Sequence, residues 1–179
     1  MMKATFVFLF CSTLISSTLL GSLAFAQDQG APGCGEQNIK FAVKSKKEQH
    51  NAQPDPGKAL LYFLQDDSNF NSHPRPTTKI GIDGSWVGAM QSNAYFFVSV
   101  DPGVHHLCAA WQTTVGPGSS HKTAAAHFTA DPNGVYYFVV KDTWWQDGGA
   151  PGIALKPLDS DEGQLMANKF SFSTSQPKK

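Results

Sequence analysis

The chain reads as all-β, an antiparallel sandwich with one short C-terminal helix. Three observations predict this. Short runs of β-prone residues recur along the chain, several alternating apolar with polar. Turn-forming groups separate them: Asp83-Gly84, Asp101-Pro102-Gly103 and Asp131-Pro132-Asn133-Gly134. Helical signals are confined to one stretch near the end.

The elements follow in order. In "NIKFAVKS" Ile39, Phe41 and Val43 alternate with Lys40, Ala42 and Lys44, as in a half-buried strand. "KKEQHNAQPDPG" (46–57) is polar, carries Pro54 and Pro56, and reads as a linker. "ALLYFLQ" (59–65) is a dense apolar run suited to a central strand. "TTKIGID" and "SWVGAM" flank Asp83-Gly84, which favours a type I′ hairpin because both residues accept positive φ. "NAYFFVSV" (93–100) puts Phe96, Val98 and Val100 on one face and Tyr95 and Phe97 on the other. "VHHLCAAW" returns after the Pro-Gly turn. "VGPGSSH" (115–121) reads as a loop, and "KTAAAHFTA" (122–130) as the next strand. "VYYFVVKD" (135–142) is the most β-prone segment. "TWWQDGGAPG" reads as a loop and "IALKPL" as a strand. Asp159 is placed to cap a helix from Ser160 to about Asn168, with Glu162 completing a capping box. The tail beyond Lys169 is polar apart from Phe170 and Phe172 and is expected to fray. The sum is about eight strands, an immunoglobulin- or transthyretin-like sandwich.

Residues 1–26 carry Lys3, the apolar run "ATFVFLFCSTLISSTLLGSLAFA" and an Ala24-Phe25-Ala26 end. That is the pattern of a cleaved secretory signal. An uncleaved anchor is the other reading, but the serines and threonines that dilute the run and the Ala-x-Ala end favour cleavage. No later segment is long and apolar enough to span a bilayer. The expected location is therefore exported, periplasmic or secreted. Four segments result: 1–26 as signal, 27–56 as a leader with one strand and a linker, 57–158 as the sandwich, and 159–179 as helix and tail.

Losing Lys3 leaves one basic residue fewer than the 14 Lys and Arg, against 14 Asp and Glu, so the net charge is about −1. Nucleic acid is not the expected partner, because phosphate binding needs clustered positive charge. The run Lys44, Lys46, Lys47 reads as solvated. Cys11 leaves with the signal, and Cys34 and Cys108 remain. An even count in an exported chain favours their pairing. Closing that loop is worth roughly 4 kcal/mol in the chain-entropy model. A lipid-modified Cys34 is a weaker reading, because Ala-Pro-Gly precedes it and it does not adjoin the apolar run.

His105, His106 and Cys108 form a His-His-x-Cys run. Neighbouring side chains on a strand diverge, so the two histidines cannot share one ion. His106 and Cys108 share a face, and His127 on the next strand could join them. Zinc needs three or four ligands, however, and Cys108 is better used in the disulfide. Cys108 as a nucleophile is weaker still, since an oxidised or buried cysteine is inert. Asp66-Asp67 reads as a solvated turn before it reads as a catalytic pair. Asp159, Asp161 and Glu162 read as helix capping before they read as a calcium site. No Gly-x-Ser-x-Gly, His-Glu-x-x-His or phosphate-binding glycine loop is present, and no cofactor is expected. Trp144, Trp145, Tyr95 and Phe97 are the candidate contact residues, because flat rings stack on sugars or on other proteins.

The order of blocks "GKALLYFLQ", "TKIGIDGSWVGAM", "NAYFFVSVDPGVHHLCA" and "FTADPNGVYYFVV" resembles the bacterial domain of unknown function 2846. The resemblance covers Gly57 to about Leu158. It implies an exported or envelope-attached β-sandwich and supplies no catalytic residues. Lipid-anchored members have a cysteine just after the signal, and this chain lacks one. "CG...KFAVKSK" and "LDSDEGQ" lie outside the resemblance and read as additions that cover the sandwich. The expected function is a non-catalytic module that binds or scaffolds in the cell envelope, its partner an envelope protein or a glycan. The alternative is a metal-dependent or hydrolytic enzyme built on His105, His106 and His127.

Overall fold

A computed structural model describes residues 31–68, 75–113, 122–143 and 151–179. The proposed signal (1–26), the 115–121 loop and the Trp144-Trp145 pair lie outside the described residues.

Ten strands and one helix follow in chain order: β1 (Phe41–Lys46), β2 (Ala59–Asp66), β3 (Thr77–Ile82), β4 (Ser85–Gln91), β5 (Ala94–Val100), β6 (Gly103–Trp111), β7 (Thr123–Ala130), β8 (Val135–Thr143), β9 (Gly152–Leu158), α1 (Ser160–Lys169) and β10 (Ser171–Pro177). They form a six-stranded sheet, β1-β10-β5-β2-β8-β9, and a four-stranded sheet, β4-β3-β6-β7. The two pack as a sandwich. Most pairings are antiparallel, but β2–β8 and β10–β5 are parallel.

The dense run in β2 now has a cause. Leu61 and Phe63 point between the sheets, where they meet Ile80, Met90, Phe96, Leu107 and Phe138. Leu60, Tyr62 and Leu64 point the other way into a second core with Tyr95, Tyr137 and Ala167. A strand buried on both faces cannot alternate apolar with polar. The second core exists because α1 crosses the outer face of the large sheet. Asp159 caps this helix, its Oδ1 accepting from the Asp161 and Glu162 amides at 2.9 Å. A side chain at Gly163 would run into the ring of Tyr137, so glycine lets the helix lie close.

The C-terminal tail does not fray. It forms β10, which pairs with β1 along its length and with β5 at its start. Short hydroxyl residues fill it, and its ladder partner β1 lies more than a hundred positions earlier. Ser173 and Ser175 also bond the β4 backbone at Ala89.

Residues 31–40 run across the outer face of the small sheet. Cys34 is bonded to Cys108, with Cα atoms 5.0 Å apart. Trp86 Nε1 donates to the Glu36 carbonyl at 2.7 Å, and Lys79 Nζ donates to the Ile39 carbonyl at 2.8 Å. Backbone passes so close to backbone here that neither Gly33 nor Gly81 has room for a side chain. The Asp83-Gly84 turn has φ of 49° and 81°, as a type I′ hairpin requires.

Candidate functional site

The strands define two ends. One carries the tight turns after β3, β5 and β7. The other carries the chain ends of β2, β6 and β8, from which the longer connections leave.

At the turn end, His105 and His106 diverge as strand geometry requires. His105 lies against Phe128. Its Nδ1 is 2.6 Å from Asp83 Oδ2, and its Nε2 is 2.7 Å from the Asp101 carbonyl oxygen. Both partners are acceptors, so both ring nitrogens must donate, which only the imidazolium can do. Burial opposes that charge. The Asp83 hydrogen bond, the Asp101 carbonyl and the two carboxylates outweigh it and raise the His105 pKa. Burial likewise works against ionised Asp83, but His105 and the His106 amide hold its pKa below the usual carboxylate value. His105 is thus a clamp between two turns. His106 and His127 instead face each other on the outer side of β6 and β7, with ring centres 6.4 Å apart. Cys108 is held in the disulfide. Among the described residues no group of three or more His, Cys, Asp or Glu is placed to hold a metal ion.

At the other end the sequence reading needs correction. Asp66 is partly exposed, but Asp67 is fully buried, not part of a solvated turn. It shares the Gln65 amide with Asp142, which is 1% exposed. Gln65 Nε2 donates to Asp142 Oδ2 at 2.8 Å and to Asp67 Oδ1 at 3.0 Å, and Trp111 Nε1 donates to Asp142 Oδ1 at 2.7 Å. Burial, followed by the charge of Asp67, pushes Asp142 up to about 8. Burial also raises Asp67, against the lowering influence of Asp142, Gln65 and Arg75. Two carboxyls this close and this dry hold one proton between them. The sequence reading missed Gln65 and Asp142. Strand phase was the available signal: Gln65 follows Leu61 and Phe63, and Asp142 follows Phe138 and Val140.

The aromatic candidates divide. Tyr95 is 1% exposed and lies in the second core, so it cannot present its ring to a ligand. Its hydroxyl accepts from the His50 amide at 2.8 Å, tying down the segment that covers it. Phe97 is half-buried against Tyr62 and Phe172. Beside them a cleft of about 440 Å³ opens between residues 51–54 and α1. Tyr62 and Tyr137 form its floor, stacked with centres 4.9 Å apart and planes 22° apart. Asn51, Gln53, Gln164 and Asn168 line its rim, and among the described residues no charged side chain lines it. Ala52 is fixed at the wall by the Tyr62 hydroxyl, which accepts from its amide at 3.1 Å.

No family model, no curated protein and no solved structure matches the chain.

Proposed function

We propose that this chain is an exported, non-catalytic β-sandwich module that binds a neutral glycan in the cell envelope, periplasmic or secreted, through the cleft between residues 51–54 and α1. The cleft carries the reading. Its volume lies in the range of small-ligand sites. Carboxamides on the rim offer both donors and acceptors, and stacked tyrosines lie beneath them. With no charged side chain among the described lining residues, it suits a ligand that hydrogen-bonds without carrying charge. Export is supported by the Ala-Phe-Ala end of the leading apolar run and by a disulfide suited to an oxidising compartment. The resemblance of residues 57–158 to the domain of unknown function 2846 fits the same reading. The histidine-based enzyme is not favoured, because His105 points away from His106 and both its nitrogens are engaged.

The test is a titration of the disulfide-bonded protein with a neutral N-acetylated chito-oligosaccharide, followed by amide NMR. Shifts should gather at Ala52, Tyr62 and Gln164, and a Gln53→Ala, Gln164→Ala variant should bind at least about tenfold more weakly, a loss of about 1.4 kcal/mol. Shifts elsewhere, or none at millimolar ligand, would remove the cleft as the contact surface. A pull-down from native envelopes would then show whether an envelope protein is the partner instead.

A further inference from the structure

We infer that His106 and His127 form a two-imidazole site for a borderline divalent cation, tightest for Cu(II), on the outer face of the small sheet. The site is independent of the glycan cleft. The register pairs the two residues directly across β6 and β7. The kind of pair follows from the backbone. The His106 amide donates to Asp83 Oδ1 at 2.8 Å, and its carbonyl accepts from the Asp83 amide at 2.9 Å. Both groups therefore point to the β3 side, away from β7. That makes His106–His127 a non-hydrogen-bonded pair, the type whose Cα atoms come within about 4.5 Å and whose side chains lie closest.

Both residues are exposed, and neither ring has a hydrogen bond among the described residues. This sets them apart from His105, whose two nitrogens are committed. The rings are 6.4 Å apart between centres and tilted by 48°. Metal–nitrogen bonds of about 2.0 Å put the centres of two neighbouring imidazoles on one tetragonal ion roughly 4.5 Å apart. Rotation about χ1 and χ2 of exposed side chains closes that difference without moving the backbone. The strands supply a rigid base, so the second imidazole binds as an intramolecular step. Imidazole suits copper, nickel and zinc, with copper tightest in the general order. The remaining coordination positions are open to water or to a donor from another molecule.

The experiment is Cu(II) titration of the disulfide-bonded protein by calorimetry, with electron paramagnetic resonance of the one-equivalent complex. The expected result is one tight equivalent with two imidazole nitrogens on the copper. His106→Gln and His127→Gln should each weaken binding at least about tenfold. His50→Gln should leave it unchanged. Glutamine is tolerated at exposed strand positions, and circular dichroism with a free-thiol assay confirms that each variant keeps the fold and the disulfide. Wild-type affinity in either single variant, or a spectrum with one imidazole nitrogen, would overturn the site.

Discussion

At the turn end, His105 sits between Asp83 and the Asp101 carbonyl, opposite charges meeting at the protein surface. At the other end, Asp67 and Asp142 are buried carboxyls of like charge, with Gln65 and Trp111 donating to them. Each cluster ties chain segments together, but the physics has opposite sign. The turn-end pair gains from ionisation, whereas the buried pair must keep a proton. Their pH windows differ accordingly. The folded His105 pKa is raised above the ordinary 6.5, so its contribution is full below that value and fades as pH climbs through the folded value. The lowered Asp83 contributes above its ordinary 3.8 and fades as pH falls through its folded value. Asp142, raised from 3.8 to about 8, binds a proton in the folded chain that the unfolded chain has already lost. Its influence is therefore a loss of stability as pH rises from 3.8 to about 8.

Breaking the buried cluster should have the largest effect. Gln65→Leu removes the amide that donates to both carboxyls and leaves them without that donor in the core. Urea denaturation at pH 7 should show a loss of about 3 kcal/mol. A loss under about 1 kcal/mol would mean that water satisfies the carboxyls and that the end is not dry.

Asp142→Asn should change the pH slope more than the fold. An asparagine carbonyl can still accept from Trp111 Nε1, and its amide can donate to Asp67. Gln65 then turns its amide over, and Oε1, which has no partner, meets a donor. The decline in stability between about pH 4 and 8 should flatten, and the variant should exceed the parent at pH 8. Melting curves at pH 5 and pH 8 check this. Parallel declines in parent and variant would show that Asp142 does not carry the slope.

The strands were legible because each is a local pattern, and the turn residues fixed their ends. What escaped depended on which strands lie side by side. Asp67 and Asp142 meet only because β2 and β8 are parallel neighbours, although more than seventy residues separate the two carboxyls. Tyr95 looked like an outward ring, and it is, but the outward side of its sheet is roofed by α1 and residues 49–54. No window around Tyr95 contains that roof. β10 escaped for a related reason: "SFSTSQP" has little apolar signal, and its order comes from ladders to β1 and β5. For the histidines, alternation correctly separated His105 from His106. Whether His127 would meet either of them depended on a register that the sequence alone did not settle.

The smallest expected effect sharpens the contrast from the turn end. Asp83→Asn keeps the positive φ of 49°, which asparagine tolerates, and its side-chain oxygen can still accept from the His106 amide. The atom facing His105 Nδ1 becomes the amide nitrogen, so the charge and the acceptor for the imidazolium are removed together. The loss at pH 5.5 should be about 0.5–1 kcal/mol, in the range of partly exposed ion pairs. Because that loss requires the imidazolium, it should shrink toward zero as pH rises above the folded His105 pKa. The imidazole Cε1 proton resonance of His105 should also titrate at lower pH in the variant than in the parent. A loss that stayed constant from pH 5.5 to 9 would show that Asp83 acts here through turn geometry. The charge contrast between the two ends would then rest on the buried carboxyls alone.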